Sequence, residues 1–454
     1  NVLLNLASPG RRRESIVESG ERLLAETRQR CRSLDGAPRE RLRQTVGIFD
    51  EITRSQLGWV FTRFVSLVAS GMVSFMQLSR LVDEAARSLP PEARQRVSDL
   101  VLQVTRGMPY NPTTEMDLAL WQLAKDLRRD PASLEALQSN DAHALAGRYR
   151  TGDLPASLRQ AVDRFLARYG ERGLGEIDLG RPRWAADPSP VMEMLASFVQ
   201  IDDEAHAPDV VFAQGARSAE AAVAELAEIA GAGRLGWMRQ RQVRFFAGRA
   251  RQLMGGRESP KFFAVRLMGV FQAALLEAGR ELAQQGELSA ADDVVYLELD
   301  ELTGFAAGAP CPEGGSWQAL INARRAAYRR ELLRRQIPRL LLSDGRAFYE
   351  GLSAPESAAG SAHTLHGSPV SPGSAEGRVR VVFDPRQAGL LPGEILVCPG
   401  TDPSWTPLFL SAGGLVLETG GMMTHGAVVA REYGIPAVVG VDRATQRLRT
   451  GSLV

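Results

Sequence analysis

The sequence predicts a multidomain protein in which a large, mainly α-helical domain is followed by a small β/α domain. Three observations support this fold class. In residues 1–345 apolar residues recur at steps of three and four, as on one face of an amphipathic helix. Residues 351–368 are rich in Ser, Ala, Gly and Pro, a composition typical of a flexible linker. Beyond residue 369 short, partly alternating apolar runs indicate strands separated by helices.

We therefore predict a mainly helical domain at residues 1–345, a flexible linker at 346–368 and a β/α domain at 369–454. The apolar periodicity predicts helices at Ser15–Arg30, Met116–Arg128, Ala216–Ile229, Phe262–Leu282 and Trp317–Leu333. Strands are predicted at Gly377–Phe383, Glu394–Val397, Gly414–Leu417 and Ala437–Val441. Because the chain begins without methionine and ends in what looks like an interrupted strand, we expect part of a longer polypeptide whose C-terminal domain is incomplete.

Composition narrows the class of protein. The chain has 454 residues and a formal net charge of +1, so no strong field favours nucleic acid or an anionic membrane. Cys31, Cys311 and Cys398 are widely spaced, which is typical of reduced cytosolic thiols, and no secretory signal precedes the first helix. Arg63 interrupts the apolar stretch Leu57–Met76, which favours a buried helix over a membrane span. We expect a cytoplasmic protein that binds neither nucleic acid nor membrane.

The most informative segment of the β/α domain is Gly420–Gly440, which contains His425. A glycine turn delivers this histidine to the start of a helix that begins near Thr424 and stops at Gly434. Free backbone N–H groups and the positive end of the helix dipole favour negative charge at that position. Since a neutral imidazole is nucleophilic near neutral pH, the setting suits a histidine that carries a phosphoryl group. The alternative is a histidine that only caps the helix.

The segment Val397–Val441 resembles the swivelling phosphohistidine domain of the phosphoenolpyruvate-utilising enzymes. The dikinase and synthase members of that family have a threonine two residues before the histidine and a small Ala or Ser after it. Here those positions are Met423 and Gly426, and Thr424 directly precedes the histidine. This pattern, with a helical domain ahead of the phosphohistidine domain, resembles the rifampicin phosphotransferase-like branch.

The resemblance implies an ATP-dependent phosphotransferase of the dikinase type. The β-phosphate of ATP would pass to His425, the γ-phosphate to water, and AMP would leave. The phosphohistidine domain would then swing to the helical domain and phosphorylate a hydroxyl of a bulky small molecule, such as a rifampicin-type antibiotic. ATP and Mg²⁺ are expected to bind an ATP-grasp domain, in a missing N-terminal part or a separate subunit, since no segment here matches one. We predict no metal site in this chain.

Two other functions remain open at this stage. The first is a phosphoenolpyruvate synthase-like enzyme that acts on pyruvate or another small acid, against which the local motif argues. The second is a non-catalytic, orphan phosphohistidine-domain protein that binds a ligand or relays a signal. Acceptor screening distinguishes the synthase-like enzyme from the dikinase-type phosphotransferase described above, because only the latter phosphorylates a bulky hydroxyl compound.

The best candidate for the acceptor side is the segment Arg257–Lys261. Ser259 and Pro260 have the pattern of an N-cap and a first helical residue, which places Lys261 in a first turn. A cation there opposes the helix dipole unless an anion faces it, and a phosphoryl group would be such an anion. Arg257 can donate paired hydrogen bonds, and both cations match positions that the resembled branch uses for phosphoryl transfer. The alternative is a solvated helix start with ordinary ion pairs.

Five further residues complete the predicted site. Arg266 either joins the two cations or pairs with a carboxylate. Thr424 either orients the imidazole through its hydroxyl group or caps the helix. Met72, Phe75 and Met76 lie in one apolar stretch and form either part of a wall for a large apolar acceptor or ordinary core packing.

Overall fold

The computed structural model describes residues 2–201, 207–233, 235–334, 338, 340–348, 364–385, 389–401, 405–421 and 424–454. A large helical region precedes a small sheet domain, which confirms the predicted fold class. Two short strands, β1 (Leu340–Leu341) and β2 (Ala347–Phe348), pair antiparallel between these parts. The predicted flexible linker falls mostly on residues 349–363, which lie outside the described residues.

The helical region contains the first fifteen helices of the described chain. These are α1 (Val2–Ala7), α2 (Pro9–Arg32), α3 (Pro38–Ile52), α4 (Gly58–Ala86), α5 (Pro91–Gln103), α6 (Pro112–Leu127), α7 (Pro131–Ser139), α8 (Ala142–Thr151), α9 (Ala156–Tyr169), α10 (Ser189–Phe198), α11 (Pro208–Ala230), α12 (Gly236–Met254), α13 (Ser259–Gln284), α14 (Leu299–Ala306) and α15 (Trp317–Glu331). Helices α2, α6, α11, α13 and α15 cover the five helices predicted from periodicity, which confirms those predictions.

The main core of the helical region gathers large side chains from helices distant in sequence. Phe64, Trp121, Phe165, Trp184 and Phe271 are all buried in one cluster. Two continuous helical runs, 38–86 and 236–284, have the length and composition of a membrane span. In the second run 67% of the most apolar window is buried inside the protein, as in a core helix, whereas in the first only 35% is.

The sheet domain has five strands in the order β3-β7-β6-β5-β4. They are β3 (Ser368–Ser371), β4 (Val379–Val381), β5 (Ile395–Cys398), β6 (Gly414–Leu417) and β7 (Ala437–Val439). Strands β4 to β7 are parallel and β3 is antiparallel to β7. The four predicted strands correspond to β4–β7, and helices α16 (Thr406–Ser411), α17 (His425–Tyr433) and α18 (Ala444–Arg447) accompany them. Near the last residue Leu453 pairs with Arg378.

Candidate functional site

His425 is the first residue of α17, directly after the turn that follows β6. Gly420 in this turn has φ of +145°, and a Cβ atom there would lie 3.1 Å from Thr424 Oγ1 and 3.2 Å from Val439 Cβ. Only glycine fits both constraints without strain. Because β5, β6 and β7 are parallel, the turn lies at their carboxyl ends, where α/β sheets bind ligands. The backbone therefore places His425 at a helix N-terminus suited to an anion.

Close packing fixes α17 against the neighbouring loop. A Cβ atom on Gly426 would lie 2.6 Å from the Oγ1 atom of Thr401 in the loop after β5. The helix then buries Ala427, Val429 and Ala430 against the sheet. At its other end Gly434 is left-handed with φ of 69°, and its N–H group closes the last turn on Ala430. The predicted start near Thr424 and stop at Gly434 are thus confirmed.

Thr424 occupies the N-cap position of α17 without capping it through its side chain. Its hydroxyl group donates a hydrogen bond to the carbonyl oxygen of Gly421 at 2.9 Å. The side chain is exposed. The hydroxyl group therefore braces the glycine turn, and its predicted role in orienting the imidazole stays a prediction.

The C-terminal end of α17 is buried against the helical region. Glu432 is 2% exposed and accepts hydrogen bonds from Asn111 Nδ2, at 3.1 Å, and from the Thr114 hydroxyl group. Asn111 is also the N-cap of α6, since its side chain accepts from Thr113 N at 3.1 Å. Burial raises the pKa of Glu432, although the two hydrogen bonds and nearby Arg257 act in the opposite direction. This carboxylate joins the sheet domain to the helical region.

The loop between α5 and α6 lies beside the C-terminal end of α17, since a Cβ atom on Gly434 would lie 2.4 Å from Arg106 Nη2. Arg251 donates to three of its carbonyl oxygens, those of Val104 and Arg106 at 2.7 Å and that of Gly107 at 2.9 Å. Burial lowers the pKa of Arg251. Gly107 has φ of +53°, and a Cβ atom there would lie 2.4 Å from the backbone nitrogen of Ala216 in α11. The loop is thus fixed by Arg251 of α12 on one side and by close packing against α11 on the other.

Arg257 lies in a 3₁₀ turn, Gly255–Glu258, that joins α12 to α13. Its side chain is 7% exposed, and Nη2 lies 3.1 Å from Glu258 Oε1. Burial lowers the pKa of Arg257, while Glu258 and Glu432 raise it. Arg257 in turn contributes to the low pKa of Arg431, which burial lowers to about 10. The predicted acceptor-side arginine therefore lies within electrostatic reach of the C-terminal end of α17.

In this arrangement the C-terminal end of α17 faces Arg257. Arg431 and Glu432, which interact electrostatically with Arg257, follow His425 by six and seven positions. At 1.5 Å per residue the backbone of His425 stands about 10 Å further along the helix axis. Transfer between the two would need the sheet domain to reorient.

Lys261 faces a carboxylate of the protein itself. Its Nζ atom lies 2.9 Å from Glu176 Oε1. Glu176 is 4% exposed and also accepts from Arg172, whose Nε and Nη2 atoms lie 2.5 and 3.0 Å from its two oxygens. Burial opposes ionisation of Glu176, but Arg172 and Lys261 together lower its pKa. The ion pair foreseen as the alternative is present, and the role of Lys261 in transfer stays a prediction.

Helix α13 begins at Ser259, close to the predicted start, but the predicted N-cap role of Ser259 is wrong. Ser259 is helical, with φ of −59° and ψ of −41°, and α12, the 3₁₀ turn and α13 form one continuous run. Only glycine fits at position 255 of this turn, since a Cβ atom there would lie 1.8 Å from the carbonyl oxygen of Pro109. Lys261 therefore follows a helical turn, and the dipole argument for a phosphoryl group in front of it loses its basis.

Arg266 pairs with a carboxylate, the second of its two predicted alternatives. Its Nη1 atom lies 2.6 Å from Glu21 Oε1, and its guanidinium lies 5.0 Å from the ring centroid of Phe262. The side chain is 6% exposed. Nothing in these contacts brings Arg266 to Arg257 or Lys261.

Met72, Phe75 and Met76 lie on α4. Met72 is 42% and Met76 66% exposed, on a face that also exposes Phe61 and Val65, so the prediction that this stretch is a buried helix is only partly correct. Phe75 is half-buried and packs against a small cluster around Met254. These three side chains do not line the cavity described next, and their predicted role as an acceptor wall stays a prediction.

A cavity of about 310 Å³ opens in the helical region beside the start of α13. Its lining includes Val17, Tyr110, Tyr169, Phe262 and Phe263, with Glu21, Glu115, Arg168 and Ser259 as polar groups. Tyr110 has φ of 71°, which is strained for a non-glycine residue, and the Arg13 guanidinium lies 3.1 Å from its ring centroid. The lining also contains the charged residues Arg13, Glu14 and Glu18, so aromatic and charged groups meet in a cavity that can hold part of a small organic ligand.

Sequence reasoning missed Glu432 and Glu176. Glu432 had one local signal: an acidic residue in the last turn of a helix opposes the helix dipole, which indicates an external partner. Glu176 had no such signal, since it lies in the loop between α9 and α10 far from Lys261 in sequence.

Comparison with known proteins gives two family matches. Residues 63–258 match the rifampicin phosphotransferase fourth domain, and residues 390–454 match the mobile domain of PEP-utilising enzymes. Arg257 lies within the first match and His425 and Glu432 within the second.

Individual relatives agree with these matches. The chain is 36% identical over 354 residues to a rifampicin phosphotransferase of Streptomyces sviceus and 33% identical over 353 residues to that of Bacillus subtilis. In each comparison 77% of this chain and 39% of the relative are covered. It is also 28% identical over 393 residues to the prodigiosin synthesizing transferase PigC of Serratia marcescens, covering 86% of this chain and 43% of that protein. The chain thus spans well under half the length of these relatives.

Proposed function

Because the chain belongs to the rifampicin phosphotransferase-like branch of the PEP-utilising enzymes, we propose that it carries a phosphoryl group on His425 and transfers it to a hydroxyl group of a bulky small molecule. The observation that supports this most is the backbone position of His425. It begins α17, after a glycine turn, at the carboxyl ends of parallel strands. There the free N–H groups of the first turn favour the negative charge of a phosphoryl group.

The transfer step needs positioning more than covalent help from the protein. The bond between phosphorus and the imidazole nitrogen breaks, and a bond forms between phosphorus and the acceptor oxygen. The hydroxyl proton ends on the imidazole nitrogen, so neither proton nor charge is left over. In this proposal Arg257 and Lys261 stabilise the charge that spreads over the phosphoryl oxygens. The sheet domain reorients for this step, since the structure turns the opposite end of α17 to Arg257.

The helical region supplies the acceptor site in this proposal. The cavity of about 310 Å³ is lined by Ser259, which lies two residues from both Arg257 and Lys261. Its volume is at the small end of the range for drug-sized ligands, so a large acceptor would place one part inside it. A rifampicin-type antibiotic is one such acceptor, in line with the names of the relatives.

ATP and Mg²⁺ are proposed to bind an ATP-grasp domain encoded outside this sequence, in the same polypeptide or a separate subunit. The relatives are more than twice as long as the matched part of this chain, which leaves room for such a domain. Among the described residues no cluster of three His, Cys, Asp or Glu side chains could hold a metal ion.

The test uses the full-length polypeptide, ATP labelled at the β-phosphate and a panel of hydroxyl compounds that includes rifampicin and pyruvate. We expect acid-labile label on the protein, localised to His425 by mass spectrometry, release of AMP, and label on a bulky hydroxyl compound. Labelling of pyruvate alone would support the synthase-like alternative. A protein that takes up no label would overturn the carrier proposal.

A further inference from the structure

Behind Lys261 lies a buried cluster of charged groups. Glu176 accepts both a two-pronged contact from Arg172 and the Lys261 ammonium, as described above. Arg183, which is 4% exposed, donates to the backbone carbonyl oxygen of Glu176. The loop that carries these groups folds back on itself, since Trp184 N donates to Arg172 O at 2.8 Å. Three cations thus surround one carboxylate side chain.

The positive charge of this cluster is not fully balanced. Asp178 also acts on Arg183, but it accepts the Tyr328 hydroxyl group and raises the pKa of Arg183 less than Glu176 does. Burial lowers the pKa of Arg183, and its Nε and Nη2 atoms have no hydrogen-bond partner among the described residues. A buried guanidinium is stable only with compensating contacts. The surplus charge therefore favours a further anion beside the cluster.

Lys261 is the member of the cluster that can reach such an anion. Its side chain is 39% exposed, whereas those of Arg172 and Glu176 are 3% and 4% exposed. Arg172 contacts both oxygens of Glu176 and already neutralises it. Lys261 adds a single contact, which leaves two of its three N–H donors for another acceptor.

We propose that Glu176 is a positioning residue for phosphoryl transfer: it fixes the direction of the Lys261 ammonium, while Arg172 and Arg183 keep the surroundings positive. The inference rests on the proposed function, in which Lys261 stabilises the transferred phosphoryl group. A lysine has four rotatable side-chain bonds, so fixing it beforehand removes an entropic cost from the transition state. Glu176 itself touches neither phosphorus nor acceptor.

The experiment separates the two half-reactions in the full-length polypeptide. Glu176→Gln keeps the size of the side chain and removes its charge. We expect His425 to take up label from ATP at the unaltered rate, and the labelled protein to transfer it to the acceptor about 10- to 100-fold more slowly, as for other orienting groups. The loss should fall on kcat more than on KM.

Two further variants show whether Glu176 acts through Lys261. Lys261→Ala should slow transfer at least as much, and adding Glu176→Gln to it should cause no further loss, because both changes remove one interaction. Glu301→Gln is the matched control, since it breaks the similar two-pronged pair with Arg324, at 2.5 and 2.8 Å, elsewhere in the helical region. Its transfer rate should be unchanged.

Transfer rates of these variants either support the inference or overturn it. Unaltered transfer in Glu176→Gln, or losses that multiply in the double variant, would overturn the inference and leave the proposed function standing. If Glu176→Gln does not fold, Glu176→Asp replaces it, because a carboxylate shortened by one methylene withdraws from Lys261; unaltered transfer in that variant would count against the inference. If the unaltered protein takes up no label, the proposed function fails and the inference fails with it.

Discussion

The two ends of helix α17 have opposite surroundings. At the N-terminal end the Thr424 hydroxyl group binds Gly421, and Gly426 packs against Thr401, both inside the sheet domain. At the C-terminal end Arg431 and Glu432 are 7% and 2% exposed, and Glu432 binds side chains of the helical region. One short helix therefore carries the candidate phosphoryl carrier at one end and the contact between domains at the other.

The difference between the two ends of α17 suggests that phosphoryl carrying and docking of the sheet domain can be altered separately. Changes at the N-terminal end should affect whether a phosphoryl group can be carried, whereas changes at the C-terminal end should affect where the sheet domain rests. Because a helix of nine residues moves as a unit, releasing Glu432 would free His425 to travel without altering its own turn. The predictions below test this separation, from the largest expected effect to the smallest.

The largest effect is expected for His425→Ala, which removes the only nitrogen nucleophile that the proposal uses. Label from the β-phosphate of ATP should fall to background, and no product should form. His366→Ala is the control, since this exposed histidine precedes β3 and should keep full labelling. Continued turnover in His425→Ala would contradict the carrier role.

Gly426→Ala should destabilise the sheet domain next most strongly. The added Cβ atom would lie 2.6 Å from Thr401 Oγ1, so the helix must shift, at a cost of roughly 1–3 kcal/mol for overpacking. Differential scanning calorimetry should show a lower unfolding temperature for the sheet domain. Gly421→Ala in the same turn, where a Cβ atom would meet nothing within 4 Å, serves as the stability control. An unshifted transition in Gly426→Ala would show that the loop after β5 yields.

Thr114→Val should weaken docking between the domains while leaving the labelling of His425 intact. It removes a hydroxyl donor from a buried carboxylate, a loss of about 1–3 kcal/mol. Energy transfer between fluorophores on the two domains should report a smaller docked fraction. Thr113→Val is a close control, because its buried hydroxyl oxygen has no hydrogen-bond partner among the described residues. Equal behaviour of the two variants would argue against Glu432 as the anchor.

The smallest effect is a dependence of docking on pH. Burial raises the pKa of Glu432 in the docked arrangement, despite the opposing charges of Arg257 and Arg431, so docking takes up a proton. The docked fraction should be largest below the ordinary carboxyl range and should decrease as the pH rises through the raised pKa. Glu432→Gln should remove this dependence. A docked fraction that increases with pH would show that the cations outweigh burial.

Local signals explain which parts of the fold could be predicted. The limits of α17 follow from Thr424 and Gly434, whose conformational preferences act over a few residues. The same local reasoning found the start of α13 but gave Ser259 the wrong role, because a 3₁₀ turn, Gly255–Glu258, joins this helix to α12 and Ser259 does not cap it. The apolar run Val294–Leu297 has the composition of a strand but lies largely in another 3₁₀ turn, Ala291–Tyr296. Asp293 caps this turn through its contacts with the backbone nitrogens of Ser289 and Ala290.

The candidate site was less accessible to sequence reasoning because its partners are distant along the chain. Glu432 binds side chains more than 300 positions away, and Glu176 meets Lys261 only after the loop following α9 has folded back. The sequence could not show that Glu176 of the protein itself supplies the anion beside Lys261. The chemical types at the site were predictable, whereas their pairings depended on tertiary packing.

Arg251 has a consequence for how quickly the sheet domain can arrive and leave. Its guanidinium immobilises the loop 104–107 through three carbonyl oxygens, so that loop is rigid before any partner reaches it. Ordering a free loop on arrival would cost about 1–2 kcal/mol per residue in backbone entropy. Because that entropy is already lost when the helical region folds, few hydrogen bonds suffice to dock the sheet domain. The same small number allows it to dissociate again in the proposed mechanism.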